Sequence, residues 1–173
     1  EDSAQTAAAN ALRADGSLKR AAERGAAVLA VCAGYQLHGE YFPDANSAAT
    51  PGLGILDIRT DRLPKRAVGE LAADPKEPLT QTLTGYENHA GATHLGPNAS
   101  ALATIRAGIG NGDGSEGATT AHVIGTYLHG PCLARNPQLA DLLLGWAIGR
   151  DLPFIEEAEV TQLREERLRT VLG

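Results

Sequence analysis

The sequence feature that most constrains the fold is a short apolar run that stops at a cysteine. Residues 27–31 are all apolar and are followed by Cys32, Ala33 and Gly34. A run this short does not fill a helix and is typical of a strand covered on both faces in a parallel sheet. Gly34 permits a tight turn into a short helix. The segment therefore predicts a strand–turn–helix unit with Cys32 at the turn.

The other predicted elements follow an order typical of α/β proteins. An alanine-rich segment, residues 3–24, predicts two short helices, interrupted at residues 15–17, with Ser17 capping the second. Five further segments are candidate strands: residues 53–60, 67–72, 79–85, 102–106 and 122–128. Two helices, one starting at Pro137 and one over residues 156–172, close the chain. We expect an α/β fold, with a mostly parallel sheet flanked by helices.

The most glycine-dense segment, residues 108–117, resembles a phosphate-binding loop only in composition. A phosphate loop needs a following Lys-Ser/Thr pair and a helix, and neither is present. Its acidic residues do not have the spacing of a calcium loop. We predict a flexible hairpin turn.

Length and composition exclude several classes of protein. The 173 residues predict a single domain, residues 1–173, and the absence of methionine indicates that this domain is N-terminally incomplete. A net charge of −6 argues against a nucleic-acid or anionic-membrane partner. No apolar run is long enough to form a transmembrane segment. Two cysteines are too few for a disulfide scaffold, which favours a reducing, cytoplasmic compartment.

Cys32 is the candidate nucleophile. A cysteine between a buried strand and a helix start has the placement of a nucleophile elbow, where the helix N-terminus favours the thiolate. The backbone N–H of Ala33 is then placed to stabilise a developing oxyanion. The alternative is a structural cysteine that packs as a small apolar side chain.

A thiolate nucleophile needs a base, and His129 is the candidate. It follows the predicted strand over residues 122–128, so it would emerge beside Cys32 if the two strands were parallel neighbours. His89, in a predicted loop, is a possible lining residue of the site. His38 is expected to point away from the turn, as a cap or in solvent. His94 and His122 are assigned structural roles.

A metal site is the rival use of cysteine and histidine. The chain contains no Cys-x-x-Cys or His-Glu-x-x-His motif, so we predict none. Cys132 is expected to be a buried spacer, with a redox pair to Cys32 as the alternative.

Four motifs resemble those of class I (triad-type) glutamine amidotransferases. Within that family, the sequence resembles the branch that contains cobyric acid synthase and the GatD-type glutaminase subunits of lipid II isoglutaminyl synthase. The order and spacing of the motifs also match this family, whose fold is flavodoxin-like. The motifs are VLAVCAGYQ (28–36), GLGILD (52–57), GYENHAG (85–91) and GTYLHGP (125–131).

The resemblance implies roles for individual residues. Cys32 would attack the side-chain amide of glutamine to form a thioester, and His129 would protonate the departing ammonia and then activate water. Arg66 matches the arginine with which GatD-type proteins bind glutamine, and a guanidinium can hold a carboxylate through two hydrogen bonds. Without the resemblance, Arg66 would be taken for a solvated surface residue. Gln36 is expected to line the same pocket.

The sequence departs from the family pattern at two places. Triad-type enzymes commonly carry a glutamate two residues after the histidine, where this chain has Pro131. The resemblance implies that a MurT-type partner, similar to Mur ligases, supplies the missing acid in a heterodimer. The family also begins with further strands and a glycine-rich oxyanion loop, which would precede Glu1.

The activity implied by the resemblance is glutamine hydrolysis, with delivery of ammonia to the partner. That partner would use ATP and Mg²⁺ to amidate D-glutamate of lipid II, and no cofactor is expected in this chain. One alternative is a glutaminase domain that serves corrinoid amidation. Another is a catalytically inactive fold that only stabilises a partner.

Overall fold

The computed structural model describes residues 2–153, 155 and 157–173. Its six helices, within these residues, are α1 (Asp2–Asp15), α2 (Ser17–Glu23), α3 (Ala33–His38), α4 (Cys132–Arg135), α5 (Pro137–Ile148) and α6 (Ala158–Leu172). Its nine strands are β1 (Val28–Val31), β2 (Tyr41–Pro43), β3 (Ala49–Pro51), β4 (Ile58–Pro75), β5 (Leu83–Leu95), β6 (Ala103–Ala107), β7 (Ser115–Glu116), β8 (Ala118–Thr120) and β9 (Val123–Thr126).

The strand–turn–helix unit is present as predicted, and the fold is α/β. β1 and β9 pair in parallel, with Val31 opposite Thr126, and β8 adds an antiparallel strand on the other side of β9. β9 is buried along its whole length, as expected for a strand covered on both faces. β1 is only partly buried, because among the described strands it forms the edge of this sheet.

The second sheet differs from the predicted, mostly parallel arrangement. It has six strands in the order β3-β2-β4-β6-β7, with β5 also paired to β4, and its long strands run antiparallel. The reason is the short connection between β4 and β5, since parallel neighbours need a long crossover. The two sheets are therefore mixed.

Several predicted element boundaries and one predicted cap were wrong. Residues 53–57 form a loop wrapped around the end of α3, where the N–H groups of Ile55 and Leu56 both bond the His38 carbonyl. The predicted strand over residues 79–85 begins only at Leu83, and the motif over residues 85–91 lies in β5 rather than in a loop. Beyond the candidate strands, the structure also contains the short strand β3 after Pro43. Ser17 begins α2, but Gly16 caps it.

The terminal helices and the glycine-dense segment agree more closely with prediction. α5 starts at Pro137, and α6 starts at Ala158, whereas Glu156 of its predicted span lies outside the described residues. The glycine-dense segment connects β6 to its antiparallel partner β7, so the predicted hairpin is confirmed.

The core holds the ends of β1 and β9 between two helices. One cluster packs Tyr35 of α3 on Val123 and Tyr127, and another packs Leu139 of α5 on Ile124. At Gly125 a Cβ would lie 2.0 Å from the Tyr35 ring, so only glycine allows this approach. The carboxyl ends of β1 and β9 are thereby fixed side by side.

Candidate active site

Cys32 occupies a strained turn between β1 and α3. Its backbone has φ 54° and ψ −110°, a positive φ that a non-glycine residue rarely adopts and that costs of order 1–3 kcal/mol. The turn is fixed on both sides, because Cys32 N–H bonds the Thr126 carbonyl at 2.9 Å and the Cys32 carbonyl accepts from Gln36 N–H at 3.1 Å. Ala33 is the first residue of α3, where N–H groups have no partner within the helix. This is the geometry expected of a nucleophile elbow.

His129 leaves the same sheet edge as Cys32. The predicted parallel pairing of the two strands is confirmed by the register of β1 and β9. His129 lies three residues beyond β9, and its N–H bonds the Tyr86 carbonyl of β5 at 2.8 Å. The histidine backbone is thus tied to both sheets.

The environment of His129 favours its neutral form. Burial lowers the pKa of His129, and the nearby His89 and Arg66 lower it further because both repel a second positive charge. Its Nε2 is buried without a hydrogen-bond partner among the described residues. A neutral imidazole with a free nitrogen is able to accept a proton.

Asn88 connects Cys32 to Arg66. The Asn88 carbonyl oxygen lies 3.9 Å from Cys32 Sγ and accepts a hydrogen bond from Arg66 Nη2 at 3.3 Å. Arg66 Nε also donates to Asn88 Oδ1 at 2.7 Å. The sequence-predicted nucleophile and arginine are therefore brought together by a residue to which the sequence assigned no role at the site.

A cavity of about 720 Å³ surrounds this group. Four of the five predicted site residues line the cavity, namely Cys32, Ala33, Gln36 and Arg66. The fifth, His129, is not among its lining residues. Arg62 adds a second guanidinium to the wall. The cavity wall therefore carries positive charge, which suits a substrate with a carboxylate.

Gln36 is held by contacts at both ends of its amide. Its Nε2 donates to the Tyr127 hydroxyl at 3.3 Å, and its Oε1 accepts from Gln5 of α1 at 2.9 Å. At Gly91 a Cβ would lie 2.3 Å from the Gln36 nitrogen, so glycine is needed for this packing. Gln36 lines the cavity as predicted, whereas the contribution of α1 was not predicted.

Two buried carboxylates lie near the site, and sequence reasoning missed both. Glu87 bonds His89, with 3.3 Å between Oε2 and Nε2, and both residues are 2% exposed. Glu116 is fully buried and accepts hydrogen bonds from the Thr126 hydroxyl and, at 2.9 Å, from Tyr127 N–H. For Glu87 the sequence did contain a signal, because every second residue of β5 from 87 to 93 is buried, as expected for alternating side chains in a strand. Glu116 carries no such signal.

No carboxylate hydrogen-bonds His129 within the part of the chain that the structure describes. Glu87 and Glu116 are engaged with other partners, and Pro131 occupies the position where triad-type enzymes carry an acid. Within the described residues, the predicted pair of Cys32 and His129 therefore has no third member bonded to the histidine.

The remaining histidines lie outside this pair. His38 is buried with Nδ1 at 2.7 Å from the Gly34 carbonyl, so of the two expected positions, a cap or solvent, the solvated one was wrong. His94 faces Asp61 on the surface, and His122 stacks on Trp146.

Cys132 is buried as predicted, and burial raises its pKa to about 11, which keeps it a thiol at neutral pH. Cys32 and Cys132 do not form a disulfide with each other. Among the described residues no three histidine, cysteine, aspartate or glutamate side chains are grouped to hold a metal ion. None of the described helices is long and apolar enough to cross a membrane.

The fold is an α/β protein with a cysteine at a strand–helix turn, at the sheet edge from which His129 also emerges. Residues 1–137 match the model of the CobB/CobQ-like glutamine amidotransferase domain, and the chain belongs to this family. A crystal structure described as a glutamine amidotransferase has the same fold, with a TM-score of 0.64 and 21% identity. That match covers 83% of this chain and 74% of the other.

Two kinds of curated relative are similar in sequence. The GatD subunit of lipid II isoglutaminyl synthase (glutamine-hydrolysing) from Staphylococcus aureus is 35% identical, over 90% of this chain and 63% of the relative. The GatD subunit of lipid II isoglutaminyl synthase from Streptococcus pneumoniae is 34% identical, over 80% of this chain and 56% of the relative. Cobyric acid synthase from Sphingopyxis alaskensis is 35% identical, over 78% of this chain and 28% of the relative. The chain thus spans less than two thirds of the length of these relatives.

Proposed function

We propose that this chain is the glutamine-hydrolysing part of a two-subunit amidotransferase. The observation that carries the proposal is the parallel register of β1 and β9, which brings Cys32 and His129 to one sheet edge. The family match and the similarity to two GatD subunits support the same activity.

The geometry is suited to a two-step acyl transfer. His129, neutral at pH 7, accepts the thiol proton as Cys32 Sγ attacks the side-chain carbonyl carbon of glutamine. His129 then returns that proton to the leaving nitrogen, which departs as ammonia and leaves a γ-glutamyl thioester on Cys32. Water, deprotonated by His129, attacks the thioester and releases glutamate and the free thiol.

Three other residues bind and stabilise the substrate in this proposal. Arg66, held in place by Asn88, pairs with the α-carboxylate of glutamine. The N–H of Ala33 stabilises the oxyanion of the tetrahedral intermediate. Gln36 contacts the substrate from α3, at the position where its amide is already held by Tyr127.

The ammonia is delivered, we propose, to a MurT-type ligase that amidates D-glutamate of peptidoglycan lipid II in the cytoplasm. This ligase forms a heterodimer with the chain and carries the ATP and Mg²⁺. The two GatD relatives, which are subunits of a lipid II isoglutaminyl synthase, support this assignment. The similarity to cobyric acid synthase keeps corrinoid amidation as the second candidate.

The experiment is to purify the full-length protein with whatever it binds, and to supply glutamine with either acceptor. Amidation of lipid II with stoichiometric glutamate release supports the first assignment, and amidation of a corrinoid acid supports the second. Absence of glutamate release with both acceptors would show a catalytically inactive, partner-stabilising fold.

A further inference from the structure

One wall of the cavity is formed by α1, a helix to which the sequence assigned no role at the site. Gln5 and Ala8 of this helix are among the lining residues. The neighbouring Ala9 is fully buried and packs in one cluster with Leu37, which belongs to α3. This packing holds α1 against the helix that begins at the cysteine turn.

Gln5 joins the two helices through a contact between two side-chain amides. Its Nε2 donates to Gln36 Oε1 at 2.9 Å, and both residues are partly buried. A hydrogen bond that is shielded from water constrains its two groups more strongly than an exposed one. Gln5 therefore fixes the oxygen end of the Gln36 amide.

The nitrogen end of the Gln36 amide lies against a buried hydroxyl. Gln36 Nε2 donates to the Tyr127 hydroxyl at 3.3 Å, and that hydroxyl lies 2.8 Å from Thr93 Oγ1. Tyr127 and Thr93 are both fully buried. Burial raises the pKa of Tyr127, so its hydroxyl keeps its proton and donates to Thr93 while it accepts from Gln36. The nitrogen end is thus held by groups of the protein core.

These two contacts determine what the Gln36 amide offers to a substrate. A side-chain amide has one oxygen and two N–H hydrogens, and the contacts within the described residues use the oxygen and one hydrogen. The nitrogen lies beside Gly91, another lining residue of the cavity, where a Cβ would come within 2.3 Å of it. The second hydrogen is therefore a donor at the cavity wall, suited to an oxygen of the substrate.

We propose that Gln5 is a positioning residue, which holds the Gln36 amide in the orientation that binds the substrate glutamine. This role rests on the proposed function, in which Gln36 contacts the substrate. A glutamine side chain without fixed contacts samples several rotamers, and ordering it on binding weakens affinity. With both ends of its amide held, Gln36 is already ordered before the substrate binds, which lowers KM. Gln5 acts through Gln36 and need not touch the substrate.

The test compares the kinetics of glutamine hydrolysis by the wild type and by Gln5→Met in the full-length protein. Methionine is similar to glutamine in length but cannot replace the amide hydrogen bond. We expect KM to rise about two- to tenfold, the range expected for ordering one side chain on binding, with kcat nearly unchanged. A merely structural role of Gln5 would instead lower the fraction of folded protein, and hence kcat, without raising KM.

A double-mutant cycle with Gln36→Met shows whether Gln5 acts through Gln36. In the Gln36→Met background, Gln5→Met should cause no further rise in KM, because the side chain that it positions is gone. Asn10→Ala is the matched control, since Asn10 is an exposed polar residue on the same helix. It should leave both KM and kcat unchanged.

An unchanged KM in folded Gln5→Met would overturn the proposal, and so would additive effects of the two substitutions. If Gln5→Met does not fold, Gln5→Ala is a second variant with the same expected result. Calorimetric binding of glutamine to Cys32→Ala, with and without Gln5→Met, needs no turnover. Absence of binding to Cys32→Ala would refute the proposed function and this role with it. Binding that is insensitive to Gln5→Met would refute the positioning role alone.

Discussion

Arg66 donates from Nε to Asn88 Oδ1 at 2.7 Å, and this contact fixes a guanidinium in the wall of the cavity that contains Cys32. The sequence alone made Arg66 indistinguishable from a surface arginine. Its contact with Asn88, whose carbonyl also faces Cys32, places it beside the candidate nucleophile.

We expect Arg66→Ala to weaken glutamine binding, because it removes the cation proposed to pair with the substrate carboxylate. The loss should be a few kcal/mol, the order expected when a charged hydrogen-bonded partner is removed. Steady-state kinetics would show it mainly as a higher KM. Arg106→Ala is a suitable control, since Arg106 pairs with Asp74 on the surface. An unchanged KM in Arg66→Ala would contradict the binding role.

Glu116 should make the stability of the protein depend on pH. Burial raises its pKa from 4.5 to about 7, so the folded protein binds its proton more tightly than the unfolded chain. This tighter proton binding stabilises the folded state. The stabilisation is fully present below about pH 4.5 and is lost as the pH rises through about 7. Over that window the loss is on the order of 3 kcal/mol.

The measurement is the free energy of unfolding of the wild type and of Glu116→Gln at several pH values. The variant cannot ionise, so its advantage over the wild type should grow between pH 4.5 and pH 7.5. Glu165→Gln, at an exposed position on α6, provides the control. A difference that stays constant with pH would show that Glu116 does not titrate in this range.

The sequence predicted the strand–turn–helix unit because Cys32 follows an uninterrupted apolar run, a strong local signal. It also predicted the edge shared by Cys32 and His129, since both follow apolar strands. His89 lines the cavity, as the sequence allowed. The buried carboxylates Glu87 and Glu116 escaped prediction because several of their partners are distant in sequence. For example, Glu87 bonds the N–H groups of residues 109 and 110, and no local pattern shows such a contact.

Among the residues that the structure describes, no carboxylate hydrogen-bonds His129, and this predicts dependence on a partner. Without an acid to orient its imidazole, the chain alone should be a weak glutaminase. Docking of a partner that places Asp or Glu against His129 should raise kcat by up to roughly 10⁴-fold, the loss seen when the acid of a serine-protease triad is disabled.

Glutamate release should therefore be measured for the full-length subunit alone, in the complex, and in a complex whose nearest partner acid is changed to Asn or Gln. The last variant should fall back toward the activity of the lone subunit. Full activity of the lone subunit, with no gain from the partner, would place the third group within this protein.

The most direct test of the central claim is to trap the acyl intermediate on its cysteine. The active protein is mixed with glutamine, quenched in acid and digested, and the cysteine peptides are analysed by mass spectrometry. We predict a γ-glutamyl thioester on Cys32, absent from Cys32→Ala, which should be folded and inactive. Cys132→Ala should still form the thioester, because Cys132 is buried and remains a thiol at neutral pH. A thioester on Cys132, together with glutamate release by Cys32→Ala, would contradict the account.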